Sequence, residues 1–128
     1  MAPVPISQIY LHDGPEADLP APLAALSASV QRLLPPPHGE HRIYRNSSLR
    51  EFLSQHYEPE VLKAYDRLVP YAYKADLGRY ALLLQHGGWY FDIGTRLHTA
   101  IQFQPEIELV LFREQLLAGN CTWACQNA

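Results

Sequence analysis

Cysteine is scarce in this chain. Its 128 residues hold two, Cys121 and Cys125. A secreted disulfide scaffold carries more, spread along its length, so covalent stapling is not what stabilises this protein. The pair also lacks the two further ligands that a zinc site needs, which leaves two free, partly buried thiols as the expectation. An excess of positive charge is missing too. Ten Lys and Arg stand against thirteen Asp and Glu, a formal net charge of −3 with His neutral. No broad basic face can therefore neutralise a nucleic-acid backbone. Any polyanion must be met locally, by a few Arg or Lys side chains or by a metal. No segment approaches ~18 consecutive apolar residues, so no membrane-spanning helix is expected. The start of the chain, MAPVPISQIYLHDG, has neither the basic nor the apolar region of a signal peptide. That points to a cytoplasmic protein, and makes Asn46-Ser47-Ser48 and Asn120-Cys121-Thr122 coincidental matches to the glycosylation pattern. Repeats, linkers and low-complexity tracts are absent as well.

What is present is nearly half apolar residues, 48%. At this length they suffice for one domain with a real core. Val4 to Leu11 alternates and then meets a turn signal, His12-Asp13-Gly14-Pro15, so it predicts a first strand. Leu23, Leu26, Val30, Leu33 and Leu34 recur at helical spacing until Pro35-Pro36-Pro37 stops them. His41 to Tyr44 is a short strand. Asn46 or Ser47 caps a helix running to His56, with Leu49, Phe52 and Leu53 inward. Pro59 opens another, with Val61, Leu62 and Tyr65 inward. The longest helical pattern, Tyr71 to His86, ends at Gly87-Gly88. An aromatic strand, Trp89-Tyr90-Phe91, follows and stops at Asp92. Ile107 to Phe112 reads as a further buried strand, ending at Arg113-Glu114. This alternation predicts an α/β layer fold with a largely parallel sheet. Ligands in such sheets sit at the carboxyl ends of strands, which directs attention to Asp13, Asp92 and Arg113.

Asp76 and Arg79 lie three apart on the long helix and share a face. They form either a surface ion pair, worth tenths of a kcal/mol, or a buried pair that needs further partners. The helix is apolar over most of its circumference, which predicts extensive burial and favours the second reading. A bound sugar with several hydroxyls would supply the partners. Asp92 precedes Ile93-Gly94. It is either a turn residue or a carboxylate that reaches a metal or a ribose hydroxyl. Both pairs of readings stay open on local grounds.

The block as a whole, A-x-D-x-x-R-Y-x-x-L-x-x-x-G-G-x-Y-x-D, resembles the donor-site signature of the DXD-type sugar transferases. That group includes fungal initiating mannosyltransferases, capsule and lipopolysaccharide sugar transferases, and clostridial glucosylating toxins. The matching residues are Ala75, Asp76, Arg79, Tyr80, Leu83, Gly87, Gly88, Tyr90 and Asp92. Val4 to Leu11 is similar to the family's opening strand, P-K-I-I-H-Q-I-W. The resemblance implies an α/β, Rossmann-like GT-A nucleotide-diphospho-sugar transferase fold, here in part, with residues 1–128 as a single donor-binding domain. It implies donor sugar hydroxyls on Asp76, sugar or diphosphate on Arg79, and ribose, sugar or a metal-bound water on Asp92. It places nucleotide against the backbone of Ile9, Tyr10 and Leu11, with Tyr10 able to pack on the base. Tyr80, Gly88 and Arg96 would support the site. The implied reaction moves a hexose from a nucleoside-diphosphate sugar to a saccharide or glycolipid hydroxyl with retention, as in polysaccharide biosynthesis. Mg²⁺ or Mn²⁺ would stabilise the charge that builds on the departing diphosphate.

Two features depart from the pattern. Gly94 stands where the second Asp of D-x-D belongs. Three readings of that change stay open: Asp92 holds a metal together with diphosphate and water, Arg96 replaces the metal, or the site is dead. The chain is also about half the length that the family's members need, and its end resembles their post-DXD segment, so either a fragment of a longer protein or a truncated gene product is expected, the abrupt end favouring a fragment. A non-catalytic nucleotide-sugar or saccharide binder with a decayed metal site is the second functional reading. A purely structural interaction domain is the third. Among the remaining residues, His86 suits the negative end of its helix. His12 lies near the expected nucleotide, Trp89 is expected in the core, and Glu114 is a polar side chain at a strand end.

Overall fold

The computed structural model describes residues 3–34, 36–102, 104–113 and 125–126. In chain order the elements are β1 (Val4–Ile9), α1 (Ala21–Leu33), β2 (His38–Tyr44), α2 (Asn46–His56), α3 (Pro59–Arg67), α4 (Tyr71–His86), β3 (Trp89–Tyr90), β4 (Phe112–Arg113) and β5 (Cys125–Gln126). Three strands form a parallel sheet in the order β2-β1-β3. β1 is central, and its residues from Ile6 to Ile9 are all buried, as a strand covered on both faces requires. Ile6 packs with Val30 of α1 and Leu34 just beyond it on one face, together with Phe91. Ile9 packs with Leu49, Leu53 and Leu82 of α2 and α4 on the other. The chain therefore leaves β1 to one side, returns through β2, and crosses to β3 on the opposite side. The strand order reverses at β1, which opens a crevice outside the carboxyl ends of β1 and β3.

Prolines and glycines set the boundaries. Proline occupies the first turns of α1 and α3, where its missing N–H is no loss. α4 ends at Gly87, with φ of 63° and its N–H on Leu83 O at 2.8 Å. Gly88 carries φ of 82° and brings the chain hard against Pro5 of β1. The start of α2 differs from expectation. Arg45 is the cap residue, and its N–H meets Ser48 Oγ at 2.8 Å. Asn46 turns its carboxamide to the N–H of His12 at 3.1 Å, and Ser47 binds Glu16. Both side chains tie down the segment after β1 instead of the helix.

Two expectations of burial are corrected. Ile107 to Phe112 is not a buried strand: Ile107, Leu109 and Leu111 are exposed, and only Phe112 with Arg113 pairs, antiparallel to β5. Both faces of the three-stranded sheet already carry helices, so the run has nothing to cover it among the described residues. Phe112 alone reaches the core, against Phe91 at 5.6 Å between ring centroids. The long helix is buried on one side only. Gly78, Arg79, Ala81 and Leu82 face inward, whereas Tyr73, Tyr80 and Leu84 are exposed. Small residues at Gly78 and Ala81 let the helix approach, and Gly78 lies against Leu49 and Ile9. Glu114 and Cys121 lie outside the described residues, as does the resemblance at the chain's end apart from the backbone of residues 125–126.

One polar group sits deep in the sheet. Gln8 of β1 is fully buried, and its Oε1 accepts from Ser27 Oγ at 2.6 Å and from His41 Nε2 at 2.8 Å. Burial pushes the His41 imidazole below its ordinary pKa of 6.5. The unfolded chain thus binds a proton below pH 6.5 that the folded chain resists. This group's contribution is complete above pH 6.5 and is lost as pH falls through the folded value. Urea midpoints of wild type and His41→Gln, followed from pH 7.5 to 5, are expected to converge toward acid. Parallel curves would refute this account.

Candidate functional site

The carboxyl ends of the strands present Tyr10 and Leu11, Tyr44 and Arg45, and Phe91 and Asp92. α4 returns so that its first half reaches the same end. Tyr71 Oη donates to Asp13 Oδ1 at 2.5 Å, and Arg79 meets Asp92. Arg79 is the centre of the arrangement, 5% exposed. Its Nη2 lies 2.8 Å from Asp76 Oδ1 and 3.2 Å from Asp92 Oδ1. Tyr90 Oη donates to the same Asp92 oxygen at 3.2 Å. The guanidinium carbon stands 5.1 Å from the centroid of the Tyr90 ring, a cation–π distance. Burial, reinforced by the Asp92 charge, holds the Tyr90 phenol well above its usual pKa, so it remains a donor.

The cation is buried but its anions are not. The Asp76 and Asp92 side chains keep 41% and 46% of their exposure. Each meets Arg79 through Oδ1, so the second oxygen of each is left to accept from a ligand. Arg79 Nε and Nη1 are buried without a hydrogen-bond partner among the described residues. A buried donor with no acceptor is costly, and the Tyr90 ring is only a weak substitute. Two carboxylates around one guanidinium carry a net charge of about −1. Such a frame attracts hydroxyl donors and repels a bare diphosphate. Polyhydroxylated sugar is the ligand chemistry that it complements.

The other predicted residues fall into separate roles. Ile9 has its side chain in the core. Ser7 turns its carbonyl to β3, where it accepts from Phe91 N at 3.3 Å. By the two-residue alternation, Ile9 and Leu11 turn their main-chain groups to the same edge, beyond that last bond. Tyr10 faces the other way: its N–H meets Tyr44 O at 2.9 Å and its carbonyl accepts from Arg45 Nε at 3.2 Å. Its ring lies 4.9 Å from the Arg45 guanidinium and 5.0 Å from the His12 ring. His12 is itself bonded to Arg45 Nη2 at 2.8 Å. Tyr80 and Arg96 are exposed and join no ion pair among the described residues. His86 sits in the last turn of α4 and packs its ring against Phe52 and His56. Trp89 stacks on Phe91 beside the second core cluster. Arg45 is invisible to sequence reasoning because no motif marks it. Tyr90 belongs to the matched block, but only the structure shows its hydroxyl contact with Asp92.

Gly94 is exposed, and nothing within 4 Å would meet a Cβ there. No group of three His, Cys, Asp or Glu side chains converges among the described residues. Among those residues, the two open oxygens of Asp76 and Asp92 are all that the site offers a cation. A metal held by protein ligands alone does not fit them; any Mg²⁺ or Mn²⁺ would draw most of its ligands from diphosphate and water.

A family model described as a glycosyltransferase sugar-binding region containing a DXD motif matches residues 20–118. The chain belongs to that family. It is also 44% identical over 54 residues to an uncharacterized glycosyltransferase, L373, of Acanthamoeba polyphaga mimivirus, an alignment that covers 42% of this chain and 22% of that protein. The chain thus spans less than a quarter of that relative's length. No solved structure matches significantly. No helix among the described residues is long and apolar enough to cross a membrane.

Proposed function

We propose that this chain is the donor-binding part of a GT-A glycosyltransferase that moves a hexose from a nucleoside-diphosphate sugar to a saccharide or glycolipid hydroxyl, with retention at the anomeric carbon. The observation that carries the reading is the buried Arg79 bridging two half-exposed carboxylates, Asp76 on α4 and Asp92 beyond the end of β3. Asp76 and Asp92 accept sugar hydroxyls through their open oxygens. Arg79 fixes the distance between them. The main chain of Ile9 and Leu11, on the unpaired edge of β1, takes the nucleotide, with Tyr10 and Arg45 as its neighbours. The diphosphate then lies between, within reach of Arg96, or of a divalent ion shared with water. Residues 1–128 are one domain in this reading.

Donor binding by calorimetry tests it, with uridine and guanosine diphosphate sugars, with and without Mn²⁺. Asp76→Ala is expected to weaken binding by about 10- to 100-fold, the worth of a charge-assisted hydrogen bond. No heat with any donor would sink the proposal. Gly94 and the net negative frame favour a second reading, a nucleotide-sugar binder that does not turn over. Tight, metal-independent binding without donor hydrolysis would select it.

A further inference from the structure

We infer that Gln8, held by Ser27 and His41, is a positioning residue that fixes the turn carrying Asp92; its effect on a donor rests on the function proposed above. The carbonyl of Asp92 accepts the N–H of Thr95 at 2.9 Å, closing the turn Asp92-Ile93-Gly94-Thr95. It also accepts from Gln8 Nε2, a long bond at 3.4 Å. β3 stops pairing with β1 at Phe91, so this side chain is what continues the tie between β1 and the chain beyond.

The orientation of the amide is determined. The carbonyl of Asp92 can only accept, so the end of the Gln8 amide that faces it is the NH₂ group. The amide oxygen then faces Ser27 Oγ and His41 Nε2, which donate to it. Gln8 is fully buried between apolar neighbours Ile6 and Ile9 on the central strand. An amide there is costly unless both ends are bonded, and an apolar residue would pack the sheet as well. The chain instead places a polar side chain where it can link α1, β2 and the Asp92 turn. Asp92 then meets Arg79 and Tyr90 from a fixed backbone.

Amide hydrogen exchange in the full chain tests the inference, with Gln8→Met, which keeps the length and removes the amide. Gln8→Glu is the second variant: ionised, it keeps acceptors for Ser27 and His41 and has no hydrogen for Asp92, whereas a carboxyl held neutral by burial would donate its O–H there, so it is read at alkaline pH. Exchange at Thr95 is expected to accelerate about tenfold, the upper range for one net hydrogen bond. Tyr10 and Gly87, whose N–H groups bond Tyr44 and Leu83, should keep their protection. Donor affinity should fall in the wild-type background and stay level when Asp92→Ala is already present, since a positioning residue acts only through what it positions. Unchanged exchange at Thr95 in whichever variant folds would overturn the inference. Equal acceleration at Thr95, Tyr10 and Gly87 would overturn it too, by reducing Gln8 to a general core contact. If Thr95 responds selectively while wild type binds no nucleotide sugar, the positioning role stands and the donor reading fails.

Discussion

Gly88→Ala is expected to destabilise the domain by about 3 kcal/mol, combining a left-handed backbone penalty with forced overpacking. The backbone there has φ of 82°, and an added Cβ would lie 2.2 Å from the carbonyl oxygen of Pro5 and 2.9 Å from two of its ring carbons. The nearest obstacle is main chain, so no rotamer change relieves it. β3 would have to separate from β1, breaking the pairing of Ile6 with Trp89 and of Ser7 with Tyr90. Gly87→Ala is the control. Its φ of 63° with ψ of −151° is a conformation that is essentially glycine's own, yet nothing lies within 4 Å of where the added methyl would stand, so only a backbone term of about 1–3 kcal/mol applies, with no overpacking added to it. Urea denaturation of both variants decides the matter. Equal losses would show that the approach of Gly88 to Pro5 contributes nothing. The same contact positions the site, because Asp92 follows β3 by two residues.

The Gly87-Gly88 pair shows what was legible in the sequence. Helix end, tight turn and aromatic strand are local, and local chemistry announced them. The same holds for β1, α1, α3 and the parallel order of the sheet. Asp76 and Arg79 share a helix face by spacing, and the family signature put Asp92 at the same site; the direct contact of Arg79 with Asp92 is visible only in the structure. Properties that depend on what covers a residue were not legible. Ile107, Leu109 and Leu111 carry the hydropathy of a core strand but face no partner among the described residues. Tyr73, Tyr80 and Leu84 lie at helical spacing on the outer side of α4 for the same reason. Gln8 carries a signal of its own kind: a lone amide on an apolar central strand demands partners. Arg45 carries none, because the three hydrogen-bonding contacts of its side chain lie 28 to 35 residues away in sequence.

The fold should tolerate loss of Arg79 better than loss of both its carboxylates. Arg79→Leu leaves Asp76 and Asp92 at 41% and 46% side-chain exposure, where water can solvate each. The expected cost is about 1–2 kcal/mol, within the range of ordinary substitutions. Asp76→Ala with Asp92→Ala strands a guanidinium that is 5% exposed, with Nε and Nη1 already unpartnered. An uncompensated buried charge costs about 3–5 kcal/mol. The triple variant, with Arg79→Leu added to the double, should recover much of that loss, because apolar groups replace the charge in place. Either carboxylate alone should be removed at small cost, since the other still faces Nη2. Donor binding should be lost in the double and triple variants alike. Stability restored without binding would separate the two roles: the sheet and helices do not need this trio to fold, so its retention points to a ligand. A double variant as stable as Arg79→Leu would contradict the buried-cation account on which that separation depends.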